Sequence, residues 1–529
     1  MLAFVIAAAI AIVRALPRSR ARGIAVVALL VSTAASAAAL RPSTAKEAPP
    51  SRPKTTEGTT YVSSNACLGC HPGEHASFSR TFHRTMTQDA NAKTVLAPFE
   101  RRGDEVWANG KRVVLTTGSH REQAYWVEGA RPGELVLVPS VWIIGEQKLL
   151  PRAEAFLTPP DVPLGDTHWS GNCIACHAVA GEPRRDEMGA SFTTRAAELG
   201  IACEACHGPG AAHVEKHRDP VDRYLARGKD DPTIVNPKKL AAERSAAVCG
   251  QCHAYAYPRD EAEWWKHGYA RTFRAGDALE PSRIVLSPSN AGRHLDAQID
   301  SLFWKDGTIR VGGPEYNGMT MSKCTQGGIT CTSCHAMHQG NPAGQIAPKR
   351  AGDAGCTSCH SSMKADHSHH RDVACVDCHM PKTSYALLSA VRSHRIDSPD
   401  PTKDKPNACN LCHLDRSLAW TAASLEKSWG KKTNATSTDP EGACLALSGD
   451  AAKRVLVADA LGSPGAIAAT GRSWQAPILA ELRRDPYAAV RFVAERSSKN
   501  VDASAPPLDP ELVRRLLAAR DQRAISIAE

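Results

Sequence analysis

The sequence predicts a mainly α-helical chain with little regular secondary structure, folded around bound groups rather than around an ordinary side-chain core. It also predicts one small β insertion and a C-terminal helical cap. Three observations lead there. A five-residue pattern, Cys-x-x-Cys-His, occurs eight times between Cys67 and His413 and takes sixteen of the 18 cysteines. Only 9 Phe, 9 Tyr and 8 Met stand among 529 residues, so something other than large apolar side chains must fill part of the interior. After His413 the composition turns to Ala, Leu and Arg at helical spacing.

The repeated pattern identifies the bound groups. Its members are Cys67/Cys70/His71, Cys173/Cys176/His177, Cys203/Cys206/His207 and Cys249/Cys252/His253, followed by Cys331/Cys334/His335, Cys356/Cys359/His360, Cys375/Cys378/His379 and Cys409/Cys412/His413. Two thiols three residues apart add across the vinyl groups of one porphyrin, and the following His supplies an axial nitrogen to its iron; this is the attachment signal of c-type haem. A redox Cys-x-x-Cys pair needs no following His, and a structural zinc site does not fix a His after every second Cys. A disulfide framework would not repeat one spacing eight times. The expectation is eight covalently bound haem c groups, close together and forming much of the core.

Charge excludes other classes. The +9 balance is spread over 64 basic and 55 acidic residues, with no basic run interleaved with aromatics, so nothing points to nucleic acid. At 42% hydrophobic and 22% charged the chain is neither disordered nor polytopic.

In chain order, residues 1–39 hold two apolar runs around Arg14–Arg22 and end in small residues near Ala37. They read as a Sec-type signal, with an uncleaved anchor as the alternative. Residues 40–60 are a Pro/Ser/Thr linker. Residues 61–171 carry the first haem motif and then the β insertion, where short runs rich in Val, Leu, Tyr and Trp are broken by Asn-Gly and Pro-Gly turns. Residues 172–430 form the multihaem core with motifs two to eight. Residues 431–529 form the cap. Helices are expected at 415–429, 450–461, 472–484, 486–498 and 510–525, and Asp485–Ser497 resembles the second helix of a HEAT repeat.

Thirteen further histidines are available as sixth ligands. A second His saturates an iron for electron transfer, whereas an open position makes a site for small molecules. His83 lies on an apparent helix after the first motif. His213 and His338 sit so near their own motifs that they are expected to reach neighbouring irons. His367 and His370 represent the cluster before the seventh motif, and His168 and His394 complete the stronger set. His75, His120, His217, His267 and His294 are weaker candidates. Cys324 and Cys444 remain outside the motifs; a disulfide and two separate thiols are both open.

The strings GIACEACHGPGAAHVEKH, GITCTSCHAMHQGNP and ACVDCHMPKTSYALLSAVRSHRIDSPDP resemble the octahaem c-type cytochromes that often carry tetratricopeptide or HEAT repeats. These are distant relatives of pentahaem nitrite reductase and hydroxylamine oxidoreductase. The resemblance covers residues 160 to 425 most clearly. It implies stacked haems, and places His83, His168, His213, His338, His367–His370 and His394 at the family's conserved histidines. The Cys-x-x-Cys-Lys motif of the nitrite reductases is missing from this sequence. The leading expectation is an exported electron carrier of the periplasm or cell surface, with other redox proteins or a quinone-linked membrane complex as partners and an oligomer allowed. The alternatives are an oxidoreductase acting on a small nitrogen or sulfur compound at one five-coordinate haem, and a subunit of a conductive filament or membrane redox complex.

Overall fold

The computed structural model describes residues 51–55, 60–291, 299–363, 366–502 and 507–527. The expected signal, most of the linker and His294 lie outside the described residues. Between the first two haem motifs the chain builds an antiparallel sheet whose spatial order runs Glu100–Arg102, Glu105–Ala108, Lys111–Thr117, Glu122–Glu128, Ser140–Ile143, Lys148–Pro151. Thr87–Asp89 and Leu135–Leu137 pair onto its middle strands. Asn109 and Gly110, with φ of 50° and 76°, make the two-residue turn that joins Glu105–Ala108 to Lys111–Thr117. Positive φ at both positions is what a type I′ hairpin demands, and Asn-Gly supplies it at least strain.

Alternation along these strands builds two clusters, one on each face. Val106, Val113, Tyr125, Val127 and Trp142 gather on one side. Val114, Leu115, Trp126 and Leu135 gather on the other, together with Trp169 and Ile174. Val114 and Leu115 are neighbours in sequence yet share a cluster, because the register slips between Val113 and Leu115 and such a bulge re-aims a side chain. Ile174 opens the helix of the second haem motif, so one face of the sheet is packed directly against that motif.

Elsewhere in the middle of the chain, regular structure is confined mostly to helices of four to seven residues, with Ala242–His253 the long exception. The C-terminal part is helical throughout: Leu418–Trp429, Glu441–Leu447, Ala451–Leu461, Pro464–Thr470, Ala476–Leu482, Ala488–Ser498 and Pro510–Ala518. Two of these, Glu441–Leu447 and Pro464–Thr470, go beyond the sequence expectation. Each is a two-turn helix too short to show a periodic stripe, and the second is set by its Ser463 N-cap and Pro464 at the first helical position. The last expected helix stops at Ala518, and Ile527 instead pairs with Leu157 beside the sheet.

The three expected regions from residue 61 onward share one compact unit, Ser51–Glu529. A single apolar cluster runs from Val141, Leu150 and Leu157 through Trp304, Val311 and Tyr385 into Leu447, Leu456, Leu479 and Val490. Buried ion pairs stitch the same regions: Arg310 donates to Asp450 at 2.6 Å, and Arg454 donates to Asp485 at 2.7 Å. Cys324 and Cys444 are both free thiols. Cys444 packs against the C-terminal core beside Glu441 and Asp439, while Cys324 lines the central cavity.

Candidate haem sites

Each Cys-x-x-Cys-His segment occupies about one helical turn. The His N–H donates back to the carbonyl of the first Cys at 2.9 Å for His71 and His335, 3.0 Å for His360 and 2.8 Å for His413. In such a turn residues i, i+3 and i+4 share one face, so both thiols and the imidazole point the same way. All eight motifs line one continuous cavity of about 3780 Å³.

The structure then sets further histidines opposite the motif histidines. His213 faces His71 with ring centres 6.4 Å apart, His338 faces His207 at 6.2 Å, and His394 faces His335 at 6.4 Å. His83 faces His253 at 6.1 Å, His367 faces His379 at 6.4 Å, and His370 faces His413 at 6.0 Å. Two imidazole nitrogens each about 2 Å from one metal lie about 4 Å apart, and half a ring on either side brings the centres to roughly 6 Å. The spacing of all six pairs therefore fits one iron held between two imidazoles. Direct packing or hydrogen bonding would bring the rings closer, as it does for Phe82 and His120 at 4.0 Å.

Most of these rings are fixed from behind by a partner for Nδ1, which leaves Nε2 directed into the gap. His207 donates to the Val235 carbonyl at 2.7 Å, His335 to that of Gly344 at 2.7 Å, His379 to that of Asp397 at 3.0 Å and His370 to that of Ser368 at 2.6 Å. The side-chain carbonyl of Gln345 holds His83. Two rings have carboxylates instead: Asp231 at 2.9 Å from His213, and Glu315 at 2.8 Å from His253. Burial would push the Glu315 carboxyl up, but the hydrogen bond and charge of His253 hold it at about 2. Asp231, Glu315 and Gln345 were not legible in the sequence, since each is a common polar residue in a loop or short helix.

Other histidines are placed differently. His168 lies outside the cavity lining with Nδ1 3.0 Å from Glu134. His217 donates to Asp231 at 2.5 Å, His267 sits 3.8 Å from Glu182, and His369 stacks edge-on against Trp429. Among the described residues no second histidine ring faces His177 or His360. His177 is half-buried and lines the cavity together with Thr117 and Ala124 of the β insertion.

Thiols of different motifs also meet. Cys67 lies against Cys203, Cys176 against Cys252, Cys249 against Cys331, and Cys356 against Cys375. Cys334 neighbours Cys356, Cys206 neighbours Cys252, and Cys378 neighbours Cys409. The eight motifs thus form one connected series, in which the Cys249–His253 motif touches three others.

Comparison with known proteins agrees with this chemistry. Family models match three segments: cytochrome c554 and c-prime at residues 161–208, the doubled CXXCH motif at 324–365 and cytochrome c552 at 364–441. The multihaem cytochrome MtrA of Shewanella baltica (strain OS185) is 22% identical over 260 residues, 46% of this chain and 53% of MtrA. The chain thus spans about half the length of this curated relative. The outer cell wall cytochrome OcwA shares the fold with a TM-score of 0.52 at 18% identity, covering 87% of this chain and 99% of OcwA. The undecahaem cytochrome from the S-layer of Carboxydothermus ferrireducens aligns with a TM-score of 0.38 at 15% identity, covering 88% of this chain and 70% of that one. The repeated attachment motif, the cavity it lines and the matches to the cytochrome c family models and to MtrA together mark this chain as a multihaem c-type cytochrome with covalently bound haem.

Proposed function

We propose that the chain is an exported octahaem electron carrier that passes single electrons along a series of mostly bis-His haems. The observation that carries this reading is the set of six facing histidine pairs at 6.0–6.4 Å. A second imidazole closes the sixth position and leaves an iron able to change only its charge. Cys67, Cys70, Cys173, Cys176, Cys203, Cys206, Cys249, Cys252, Cys331, Cys334, Cys356, Cys359, Cys375, Cys378, Cys409 and Cys412 anchor the porphyrins, and the His after each second Cys is the proximal ligand. The protein's part is to hold neighbouring sites together, exclude water and set each potential. The C-terminal helices act as a HEAT-like cap over the last sites, where Gly465 lies against Cys412. Among the described residues no helix is long and apolar enough to cross a membrane. Partners are redox proteins, reached in the periplasm or at the cell surface.

One observation favours a second reading, an oxidoreductase of a small nitrogen or sulfur compound. His177 has no facing histidine among the described residues, and His120, Arg121 and Arg152 line the same cavity and carry charge or donors that suit an anion. Haem counting by intact mass and electron paramagnetic resonance of the oxidised protein separate the two. Eight haems, with the six paired irons low-spin and no signal shifted by nitrite, sulfite or cyanide, support the carrier. A high-spin signal shifted by these ligands supports the enzyme.

A further inference from the structure

The axial histidines differ in what stands behind them, and the difference is electronic as well as geometric. A backbone carbonyl fixes a ring through a neutral acceptor. A carboxylate accepting the Nδ1 proton draws that proton away and pushes electron density onto Nε2, which makes the ring a more basic ligand and favours the ferric over the ferrous state. Two of the paired rings have such a partner: His253 with Glu315 and His213 with Asp231.

The two carboxylates are not equivalent. Asp231 also takes Lys216 at 3.0 Å and His217 at 2.5 Å, so its charge is shared with other donors. Among the described residues, the ion pairs of Glu315 run to His253 alone. Its orientation is set locally, because its other oxygen accepts the Gly313 N–H at 2.9 Å while the Gly313 carbonyl accepts from His253 at 2.8 Å. The position of this motif adds weight: Cys252 lies by both Cys176 and Cys206, and Cys249 lies by Cys331, so the site held by His253 is the junction of three neighbours.

We propose that Glu315 is a positioning residue that makes the junction iron, between His83 and His253, the lowest-potential member of the series. Asp231 does the same more weakly for the iron between His71 and His213. Electrons entering the array would then rest on the arms rather than at the branch, and the junction would be the last iron to be reduced. This rests on the paired-histidine reading above.

The geometry supplies a way to watch this iron alone. Its rings are crossed at 70°, whereas the other five pairs are crossed at 10–48°. Crossed axial planes leave two iron d orbitals nearly equal in energy and give a large-gmax resonance distinct from the rhombic signals of near-parallel rings. The experiment is a potentiometric titration of the haem-loaded full chain, followed by low-temperature electron paramagnetic resonance. In the unmodified protein the large-gmax signal should be the last to disappear on reduction, a test that needs no variant. In Glu315→Gln the oxidised-to-reduced ratio of that iron at fixed potential should fall about tenfold, which is about 59 mV for one electron. Glu315→Asp should restore part of the shift; the iron between His335 and His394, whose His394 also feels the Glu315 charge, should move less, and the remaining signals should stay in place. A large-gmax signal that titrates among the others, or that Glu315→Gln leaves unmoved, overturns the proposal. Absence of any large-gmax signal overturns the paired-histidine assignment of this iron instead, and the proposal with it.

Discussion

Asp485→Ala is expected to be the most damaging single change in the C-terminal helices. The Arg454 guanidinium is 3% exposed and Asp485 is fully buried. Asp485 accepts Arg454 Nε at 2.7 Å and Nη2 at 3.1 Å, and also the Tyr487 N–H at 3.0 Å, with Arg520 3.7 Å away. Without the carboxylate, the Arg454 charge keeps, among the described residues, the Gly449 carbonyl at 2.9 Å and the face of Tyr487 5.5 Å away. Removing one partner of a buried pair costs about 3–5 kcal/mol, because an uncompensated charge is left in a poorly polarisable interior. Replacing both partners by apolar residues of similar volume is often neutral. Arg454→Met combined with Asp485→Leu should therefore recover most of the loss. Amide exchange in helices Ala451–Leu461 and Ala488–Ser498 reads this locally. At tenfold per 1.4 kcal/mol, the single change should accelerate exchange between about a hundredfold and a few thousandfold. A single variant within about 0.5 kcal/mol of the parent, or a double variant no better than the single, would refute the reasoning.

Three other outcomes follow from named geometry. His83→Ala should open one more iron per chain: carbon monoxide uptake after reduction rises by one equivalent over the unmodified protein and the large-gmax signal vanishes, while a rise of more than one equivalent would contradict the pairing of His83 with His253 alone. Gln345→Leu removes the acceptor behind His83 and should broaden that same signal, as the ring loses its fixed plane, without changing haem content by intact mass. The Glu441 carboxyl is pushed up from 4.5 to about 7 by burial, with Lys453 opposing and Asp404 assisting. The folded state therefore binds the extra proton between those values, so its contribution is fully present below pH about 4.5 and is lost as pH rises through about 7. Glu441→Gln should flatten that part of the stability–pH curve and raise stability at pH 8 by up to about 3 kcal/mol, measured by denaturant unfolding of the haem-loaded protein.

The parts of the fold that rest on short-range rules are legible in the amino-acid sequence itself. The Asn109-Gly110 turn and its flanking strands follow from turn chemistry and alternation, and the attachment residues from a pattern whose spacing is itself the chemistry. The weak points share one cause, dependence on partners distant in the chain. His168 precedes a motif as attractively as His213 follows one, yet its ring lies against Glu134, a residue of the sheet region. His367 and His370 both face motif histidines while His369, between them, turns to Trp429; a positive φ of 53° at His369 reverses the chain there. No local signal distinguishes these rings. The carboxylates behind His213 and His253 are equally silent, since a loop Asp and a first-turn Glu are ordinary until folding brings a ring to them.

The facing pairs also say how this chain can fold with so few aromatic residues. His213 follows the third motif but faces the first, His338 follows the fifth and faces the third, and His83 follows the first and faces the fourth. Each iron so held would staple segments far apart in sequence, closing long loops that the short helices alone could not close. The cavity makes the same point. Some 3780 Å³ lined by all eight motifs is space that side chains do not fill, and its lining lacks the packing partners of an ordinary core. The middle of the molecule is therefore expected to depend on porphyrin, whereas the sheet, with apolar clusters of its own on both faces, keeps part of its core. Expressed where haem ligation is absent, the chain should be degraded or aggregate, and limited proteolysis should spare at most the sheet region and the C-terminal helices. Recovery of a soluble colourless protein whose middle resists protease as the red protein does would show that side chains alone fill the cavity, and would overturn the account.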